Sequence, residues 1–377
     1  MILINNKIKY DVIVIGAGPS GVSSAINCAK KGLDVLIVDS NSNTGGQIYR
    51  APPKTYKNIS QKKLEENEIQ KKLSDDIKKF KIETAYNHTV WQVSPGFKVN
   101  AFNDTSTIQW QTKSLIIATG TYEKIIPFDG WTIPGVIGLA ACTVMLKAHH
   151  FIPSKKIILA GNGPLLMLVA YYIIQFGGKI DAIVDTSSKI DWIKSTLSLI
   201  TNPKNFKDGI KWIFKIFLNR VPIYSMSSIQ KASEVDGGIK VTIKNLKTDK
   251  TKNIVSETIA IGHGLIPSTD ITRLLRAEHI YNEQKGGWIA KVDRFLRSSV
   301  KGVYLAGDGA GVSGALAASD KGLLASSTLL YDEKIISEKE FNQYTRKILK
   351  KLDKFEVFAR AISKLNSIPK KLIENID

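Results

Sequence analysis

The first part of the chain contains a run of apolar residues, a glycine-rich turn and a second apolar run. Residues 12–15 are all apolar and lead into Gly16, and residues 35–38 form a second apolar run that ends at Asp39. Uninterrupted apolar runs bounded by turn residues are typical of strands buried on both faces of a parallel sheet. The pattern therefore predicts a strand, a turn, a helix and a second strand.

A second unit of the same kind follows in the middle of the chain. Residues 156–160 predict a strand, residues 165–176 an apolar helix that ends at Gly177, and residues 181–185 a strand that again ends in an acid. Two such units in one chain favour two doubly wound domains.

Segments after each unit indicate how the domains are connected. Alternation over residues 97–110 and 239–243 predicts β-meanders, and apolar strands end in Thr119–Gly120 before the second unit and in Gly307–Asp308 after it. The predicted fold class is α/β, with two Rossmann-like dinucleotide-binding domains, the second inserted in the first, and with β-meanders and a helical C-terminal tail. The predicted boundaries are 1–126 plus 268–335 for the first domain, 127–267 for the second, and 336–377 for a helical basic tail.

Residues 188–220 are predicted to be an insertion in the second domain. Ile210, Ile213, Phe214 and Phe217 recur there at helical spacing, with lysines between them. We favour a helix that packs this apolar face on its own domain, and docking to a partner or to a membrane surface is the alternative.

Composition narrows the class of protein. The 377 residues include 53 Lys and Arg against 34 Asp and Glu, a net charge of +19, but only eight of the basic residues are arginine. The lysines are dispersed and accompany no aromatic-basic motif, so we do not predict nucleic-acid binding. Cys28 and Cys142 form no CxxC pair, and we predict neither a metal site nor a local redox pair. With no signal peptide or transmembrane segment in the pattern, a cytoplasmic location is expected.

The residues of the first turn suit a dinucleotide. Gly16 lets the chain turn sharply off the strand, Gly18 lets a pyrophosphate approach the backbone, and Gly21 lets the helix pack closely on the strand. The free N–H groups at the helix N-terminus attract phosphates. Asp39 is placed to accept a hydrogen bond from a ribose hydroxyl, so we predict that an adenine dinucleotide binds here.

The second turn departs from this pattern at its third glycine, where Leu166 stands. A leucine at this position predicts that close helix–strand packing is lost or rearranged, which leaves nucleotide binding open. Asp185 disfavours a 2′-phosphate, so NADH is expected at this turn rather than NADPH.

Six segments in one order resemble the flavoproteins with two dinucleotide-binding domains, the superfamily of thioredoxin reductase and glutathione reductase. They are residues 45–50 (GGQIYR), 118–124 (ATGTYEK), 130–138 (GWTIPGVIG), 160–165 (AGNGPL), 262–267 (GHGLIP) and 305–311 (LAGDGAG). The order is similar to that of the A (or α) subunits of opine oxidases and hydrogen cyanide synthase. It is also similar to that of the dinucleotide-binding subunits of dye-linked proline and hydroxyproline dehydrogenases.

The resemblance implies FAD at the first turn, and NAD(H) or another adenine nucleotide at the second. The implied FAD-binding residues are Gly16, Gly18, Pro19, Ser20, Gly21, Asp39, Ser40, Gly46, Gln47, Thr119, Gly120, Gly307 and Asp308. Asp308 would bind a ribityl hydroxyl or reach the pyrophosphate through water, and a structural role as a helix N-cap is compatible with this. The implied residues of the second site are Gly161, Asn162, Gly163, Pro164 and Asp185.

The resemblance also implies partner subunits. In the resembling enzymes, a separate flavoprotein subunit of the D-amino-acid-oxidase type oxidises the amine or imino acid. A cysteine-rich segment like a [2Fe–2S] domain commonly follows the region that matches residues 364–377. This chain lacks those cysteines, so we predict no iron–sulfur cluster on it. The candidate second partner is a small iron–sulfur subunit.

The expected function is therefore that of one subunit in a heteromeric dehydrogenase or oxidase of opine, proline, hydroxyproline or glycine type, relaying electrons from its flavoprotein partner. One alternative is a stand-alone NAD(P)H-dependent flavin reductase of the thioredoxin-reductase type, which requires a redox CxxC or another acceptor site. Another is a non-catalytic nucleotide-binding scaffold. His263, in a Gly-His-Gly segment, is the one candidate for a catalytic side chain.

Overall fold

The computed structural model describes residues 8–50, 65–193, 203–312, 315–365 and 369. Parts of the predicted insertion (194–202) and of the predicted tail (366–368 and 370–377) lie outside the described residues. The helices are α1 (Pro19–Ala29), α2 (Glu65–Lys79), α3 (Leu139–His149), α4 (Gly163–Gln175), α5 (Pro203–Leu218), α6 (Asp270–Leu274), α7 (Ala315–Asp332) and α8 (Glu338–Leu365).

The strands fall into two large sheets and several small ones. They are β1 (Lys9–Ile15), β2 (Val35–Asp39), β3 (Glu83–Tyr86), β4 (Thr89–Ser94), β5 (Lys98–Phe102), β6 (Thr107–Ile117), β7 (Thr121–Glu123), β8 (Val136–Gly138), β9 (Lys156–Gly161), β10 (Lys179–Asp185), β11 (Ile223–Ser225), β12 (Ser227–Val235), β13 (Gly238–Asn245), β14 (Thr251–Ser256), β15 (Thr258–Gly262), β16 (Leu265–Pro267), β17 (His279–Asn282), β18 (Gly287–Ala290) and β19 (Val303–Leu305).

The chain divides into two compact units, and the second is inserted in the first. Of the described residues, the first unit holds 8–50, 65–122, 266–312 and 315–356, and the second holds 123–193, 203–265 and 357–365. Both units combine a parallel sheet with helices, and α7 and α8 form a helical C-terminal part. The predicted fold class is confirmed.

The first unit is built on a sheet in the order β3-β2-β1-β6-β5-β4, with β19 also paired to β6. The strands β3, β2, β1, β6 and β19 are parallel, and β4 and β5 extend the sheet as an antiparallel meander on the first half of β6. The meander begins one residue later than its pattern predicts. Phe97 has a φ of 50° and lies in the turn before β5, so it does not belong to the alternating strand.

The second unit is built on a parallel sheet in the order β11-β10-β9-β15-β8. The strands β12, β13 and β14 form a separate antiparallel sheet. Ile239, Val241 and Ile243 alternate along β13 and are all buried, as the period of two predicts.

The helix α5 corrects an expectation, because most of its apolar residues do not pack on the protein. It packs against α4, with Ile216 buried and Trp212 half-buried. The predicted apolar face is instead 50–75% exposed: Ile210, Ile213, Phe214, Phe217 and also Leu218. A single helix–helix contact covers only a narrow stripe of a helix, and here that stripe runs through positions 212 and 216. None of the helices that the structure describes is long and apolar enough to cross a membrane.

Candidate dinucleotide-binding sites

In the first unit, the glycine turn brings the start of α1 very close to β1. Gly16 has a φ of 111°, and a Cβ on it would lie 2.3 Å from the carbonyl oxygen of Ala118 at the end of β6. A Cβ on Gly21 would lie 1.9 Å from the carbonyl oxygen of Gly16. Neither position has room for a side chain, so both glycines are required by packing alone.

The segment with Gly45 and Gly46 lies against this turn. The Gly45 N–H donates to the Ala17 carbonyl over 3.0 Å, and a Cβ on Gly46 would lie 2.9 Å from the Cα of Gly18. The structure therefore brings Gly18 and Gly46 together. Ser40 and Gln47 are exposed.

Asp39, the acid at the end of β2, is tied to the glycine turn by hydrogen bonds. Its Oδ2 accepts from the Ala17 N–H over 2.5 Å, and its Oδ1 accepts from the Asn41 N–H over 2.7 Å. Arg50 donates to the Asn41 side chain over 2.9 Å. Burial lowers the pKa of the Arg50 guanidinium, and the negative charge of Asp39 opposes that shift.

The glycine-rich segment after β19 meets the same turn. Gly307 has a φ of 72°, and a Cβ on it would lie 2.9 Å from the Cβ of Ser20. A Cβ on Gly309 would lie 3.8 Å from the carbonyl oxygen of Gly120 and 3.9 Å from Oγ1 of Thr119. Residues predicted from three distant segments therefore converge near the start of α1.

Lys321 is a residue of this region that the sequence did not reveal. From α7 its Nζ donates to the carbonyl oxygens of Gly311 over 2.7 Å and Gly307 over 3.3 Å, and so spans the segment that carries Asp308. Burial lowers the pKa of Lys321 to about 8, although the charge of Asp308 opposes this. Asp308 lies inside the short 3-10 turn Gly307–Ala310, whose N-cap is Ala306. Asp308 is therefore not the N-cap residue of this turn.

The start of α1 fits an anionic group such as a dinucleotide pyrophosphate. No side chain caps the helix, and its first turn contains no acid. The Ser20 hydroxyl is buried without a hydrogen-bond partner among the described residues. Unpaired N–H groups, the positive end of the helix dipole and a buried hydroxyl are the groups that such a ligand requires.

The second unit repeats the glycine turn, but a leucine occupies the position of the third glycine. Gly161 has a φ of 134°, and a Cβ on it would lie 1.8 Å from the carbonyl oxygen of Gly262 at the end of β15. Leu166, however, is fully buried. At Gly21 the helix backbone lies too close to the turn for any side chain. At the equivalent position of the second turn there is room for the leucine side chain, so α4 packs less closely on its turn than α1 does.

Polar groups at this second turn are buried and unsatisfied. Asn162 is the N-cap residue of α4, and neither polar atom of its side chain has a partner among the described residues. The Thr186 hydroxyl, just after β10, is in the same condition. A buried amide without partners is costly, so these groups fit a polar ligand that would satisfy them.

Asp185 is engaged by its own loop. Its Oδ1 accepts from the Ser187 N–H over 2.8 Å, and its Oδ2 accepts from the Trp192 indole over 2.6 Å. Burial raises the pKa of Asp185, and these hydrogen bonds oppose the shift. The Asp185 carboxylate therefore orders the segment after β10.

Glu123 is a second residue that sequence reasoning missed, although it lies in the segment 118–124. Its Oε1 accepts from the Ala140 N–H at the start of α3 over 2.9 Å, and a Cβ on Gly262 would lie 2.2 Å from that oxygen. Burial raises the pKa of Glu123 to about 7, although the backbone N–H groups of Ala140 and Leu139 oppose the shift. No local pattern marks this residue, because the helix that buries it begins well downstream.

Burial shifts the pKa values of the remaining candidates for chemistry. His263 is buried, and burial together with the charge of Lys124 lowers its pKa to about 4, so the imidazole is neutral at pH 7. Burial raises the pKa values of Cys28 and Cys142 to about 12, which keeps both as thiols. Among the described residues, no group of three or more His, Cys, Asp or Glu is arranged to hold a metal ion.

Two curated relatives match most of the chain. The A subunit of an opine oxidase from Rhizobium meliloti is 29% identical over 347 residues, which cover 87% of this chain and 64% of that protein. The HcnB subunit of hydrogen cyanide synthase from Pseudomonas protegens is 26% identical over 349 residues, which cover 89% of this chain and 74% of that protein. The chain thus spans less than two thirds of the length of the Rhizobium relative. Both proteins belong to the group that the six segments resemble, and that resemblance is confirmed.

Solved structures share the fold. Thioredoxin reductase of T. acidophilum superposes with a TM-score of 0.63 at 20% identity, covering 87% of this chain and 99% of that one. L-proline dehydrogenase of P. horikoshii does so with a TM-score of 0.63 at 16% identity, covering 91% of this chain and 59% of that one. The profile of the pyridine nucleotide-disulphide oxidoreductases matches residues 10–322. The chain therefore belongs to the pyridine nucleotide-disulphide oxidoreductase family.

Proposed function

We propose that this chain is the dinucleotide-binding subunit of a heteromeric dehydrogenase or oxidase that acts on amino or imino acids. The substrate would be of the opine, proline, hydroxyproline or glycine type. A partner flavoprotein of the D-amino-acid-oxidase type would oxidise the substrate, and this chain would receive the electrons. A small iron–sulfur subunit is the candidate second partner.

The observation that carries the proposal is the combination of an intact first turn with two buried cysteines that form no disulfide. The relatives named as subunits match 87% and 89% of the chain. Its two cysteines, Cys28 and Cys142, are buried and remain thiols at neutral pH. A dithiol relay of the thioredoxin-reductase type needs a paired and accessible thiolate, so this combination favours the role of a subunit over that of a stand-alone disulfide reductase.

FAD would bind at the first turn, where it would supply the electron-accepting chemistry. The N–H groups at the start of α1 and the Ser20 hydroxyl would hold its pyrophosphate, Asp39 would bind the ribose, and Asp308 would bind the ribityl chain or the pyrophosphate. Lys321 would keep the Asp308 segment in place through its two carbonyl contacts. Asn162 and Thr186 would bind NAD(H) at the second turn.

The test is to purify the full chain alone and co-expressed with a D-amino-acid-oxidase-type flavoprotein of the same genome. Mass spectrometry identifies the released nucleotides, and a dye-coupled assay measures oxidation of proline, hydroxyproline, an opine and glycine. We expect bound FAD in both preparations and substrate oxidation in the co-expressed one alone. A Cys28→Ala and Cys142→Ala double variant should keep that activity, because neither thiol takes part.

Other outcomes support the alternatives. Oxidation of an amino acid by the isolated chain would overturn the proposed division of labour. Bleaching of the flavin by NADH alone, with activity lost in the double cysteine variant, would favour the stand-alone reductase. A tightly held adenine nucleotide without flavin would favour the non-catalytic scaffold.

A further inference from the structure

The exposed face of α5 is a feature that the proposed dinucleotide chemistry does not use. Its five exposed apolar side chains are Ile210, Ile213, Phe214, Phe217 and Leu218, each at least half exposed and Phe217 75% exposed. At 3.6 residues per turn they occupy an arc of about 140°. Single exposed apolar residues are ordinary, but five on one helix face form a patch of the kind that marks an interaction site.

A row of lysines lies beside this apolar arc. Lys207, Lys211 and Lys215 follow one another at intervals of four and border the apolar arc on one side. Lys211 also lies over the Tyr171 ring of α4, with its Nζ 5.4 Å from the ring centroid. Asp208 is the one acid between residues 207 and 220, and the whole chain has a net charge of +19. The helix therefore presents bulky apolar groups beside a row of positive charges.

This arrangement fits an anionic lipid surface better than a protein surface. Protein interfaces are depleted of lysine in their buried centres. A helix that lies in the bilayer interface, in contrast, places Phe and Leu among the acyl chains and Lys at the headgroups. The 16 residues of α5 span about 24 Å. Ile216 and Trp212 meanwhile hold the opposite side of the helix on the protein.

We propose that α5 docks this chain on the surface of membranes that contain anionic lipids, with Phe214 and Phe217 inserted among the acyl chains. The docking is peripheral. It involves no dinucleotide site and is independent of the proposed function.

The experiment is flotation of the full chain with phosphatidylcholine vesicles and with vesicles that contain about a third phosphatidylglycerol. We expect binding to the anionic vesicles that weakens as salt is added. A Phe214→Ser and Phe217→Ser double variant should lose about 100-fold in partition coefficient, because two large apolar side chains no longer insert. A Lys207→Gln, Lys211→Gln and Lys215→Gln variant should lose a similar factor for anionic vesicles only.

The matched control replaces exposed apolar residues elsewhere. Phe102 and Val255 are 46% and 50% exposed, and the Phe102→Ser and Val255→Ser double variant should bind vesicles like wild type. Circular dichroism and thermal melting verify that each variant is folded. No wild-type binding, or equal binding by the Phe214 and Phe217 variant, would overturn the proposal. So would a concentration-dependent dimer or a partner complex that forms in wild type and is lost in that variant while vesicle binding persists.

Discussion

The two glycine turns begin alike and differ in how closely the helix approaches its strand. Gly16 and Gly161 both pack against the end of a neighbouring strand, at Ala118 and Gly262, with positive φ and no room for a Cβ. Gly21 then lets α1 lie against the Gly16 carbonyl, whereas the equivalent Leu166 is buried as a side chain. The two turns therefore differ at the third position in how the helix packs on its turn.

The acids that end the second strand of each unit, Asp39 and Asp185, also differ in their hydrogen-bond partners. Asp39 accepts a hydrogen bond from its own glycine turn through the Ala17 N–H. Asp185 accepts from Ser187 and Trp192 in the loop that follows it. The first acid thus stabilises its glycine turn, and the second stabilises the loop that follows it. A nucleotide at the second turn would depend more on the unsatisfied Asn162 side chain than on Asp185.

The largest effect is expected at Gly21. In Gly21→Ala the new Cβ would lie 1.9 Å from the Gly16 carbonyl oxygen, so α1 must move away from β1. We expect the free energy of unfolding to fall by about 3 kcal/mol or more, with loss of bound flavin. Urea unfolding and the flavin absorbance of the purified protein measure the two effects. Gly209→Ala is the control, because a Cβ there meets nothing within 4 Å on a helix. Flavin retention by Gly21→Ala would mean that close approach is not what the first turn requires.

A substitution at the third position of the second turn should also destabilise the protein, but it should leave flavin bound. Leu166→Ala removes a fully buried side chain and should cost about 2–4 kcal/mol of unfolding free energy by leaving a cavity. Flavin content should not change, because the substitution lies in the other unit. Urea unfolding and flavin absorbance again provide the measurement. A loss of flavin equal to that of Gly21→Ala would remove the distinction between the turns.

The sequence predicted what local patterns determine. Both turns, both acids and the insertion of one unit in the other follow from the spacing of apolar runs and glycines, because buried parallel strands leave a strong local pattern. The close packing of α1 on its turn and the looser packing of α4 also follow from one residue in each turn, Gly21 and Leu166.

What the sequence missed depends on partners distant in the chain. Glu123 is half-buried against the start of α3, and Lys321 binds the carbonyls of Gly307 and Gly311 from the following helix. On α5, two overlapping helical rows of apolar residues compete, and packing against α4 selects the row with Ile216. In each case the decisive neighbour is a tertiary contact that no periodicity encodes.

An ionisable group supports the second turn and should make it sensitive to pH. Burial raises the pKa of Glu123 from 4.5 to about 7 in the folded protein. The folded state therefore holds a proton that the unfolded state releases, and the stability gained at low pH is lost as pH rises to 7.

Relative to Glu123→Gln, wild type should lose roughly 2–3 kcal/mol of unfolding free energy between about pH 4.5 and 7. Urea unfolding of both proteins across that range measures the difference and cancels the contributions of other groups. Parallel pH profiles would show that this carboxyl titrates normally, and flavin retention at the first turn should stay constant throughout.

The smallest expected effect tests whether the second turn binds a nucleotide at all. Asn162→Ala removes an amide whose polar atoms are buried without partners among the described residues. Its loss should leave the unfolding free energy within about 1 kcal/mol of wild type. If that amide binds NADH, the Kd for NADH should rise about tenfold, since one hydrogen bond to a ligand is lost. Isothermal titration of the flavin-loaded chain measures the affinity, and Asn219→Ala, an exposed position just after α5, is the matched control. Equal NADH affinity in Asn162→Ala and wild type would show that this amide does not contact NADH, and no NADH binding by either would leave the second turn as a packing element alone.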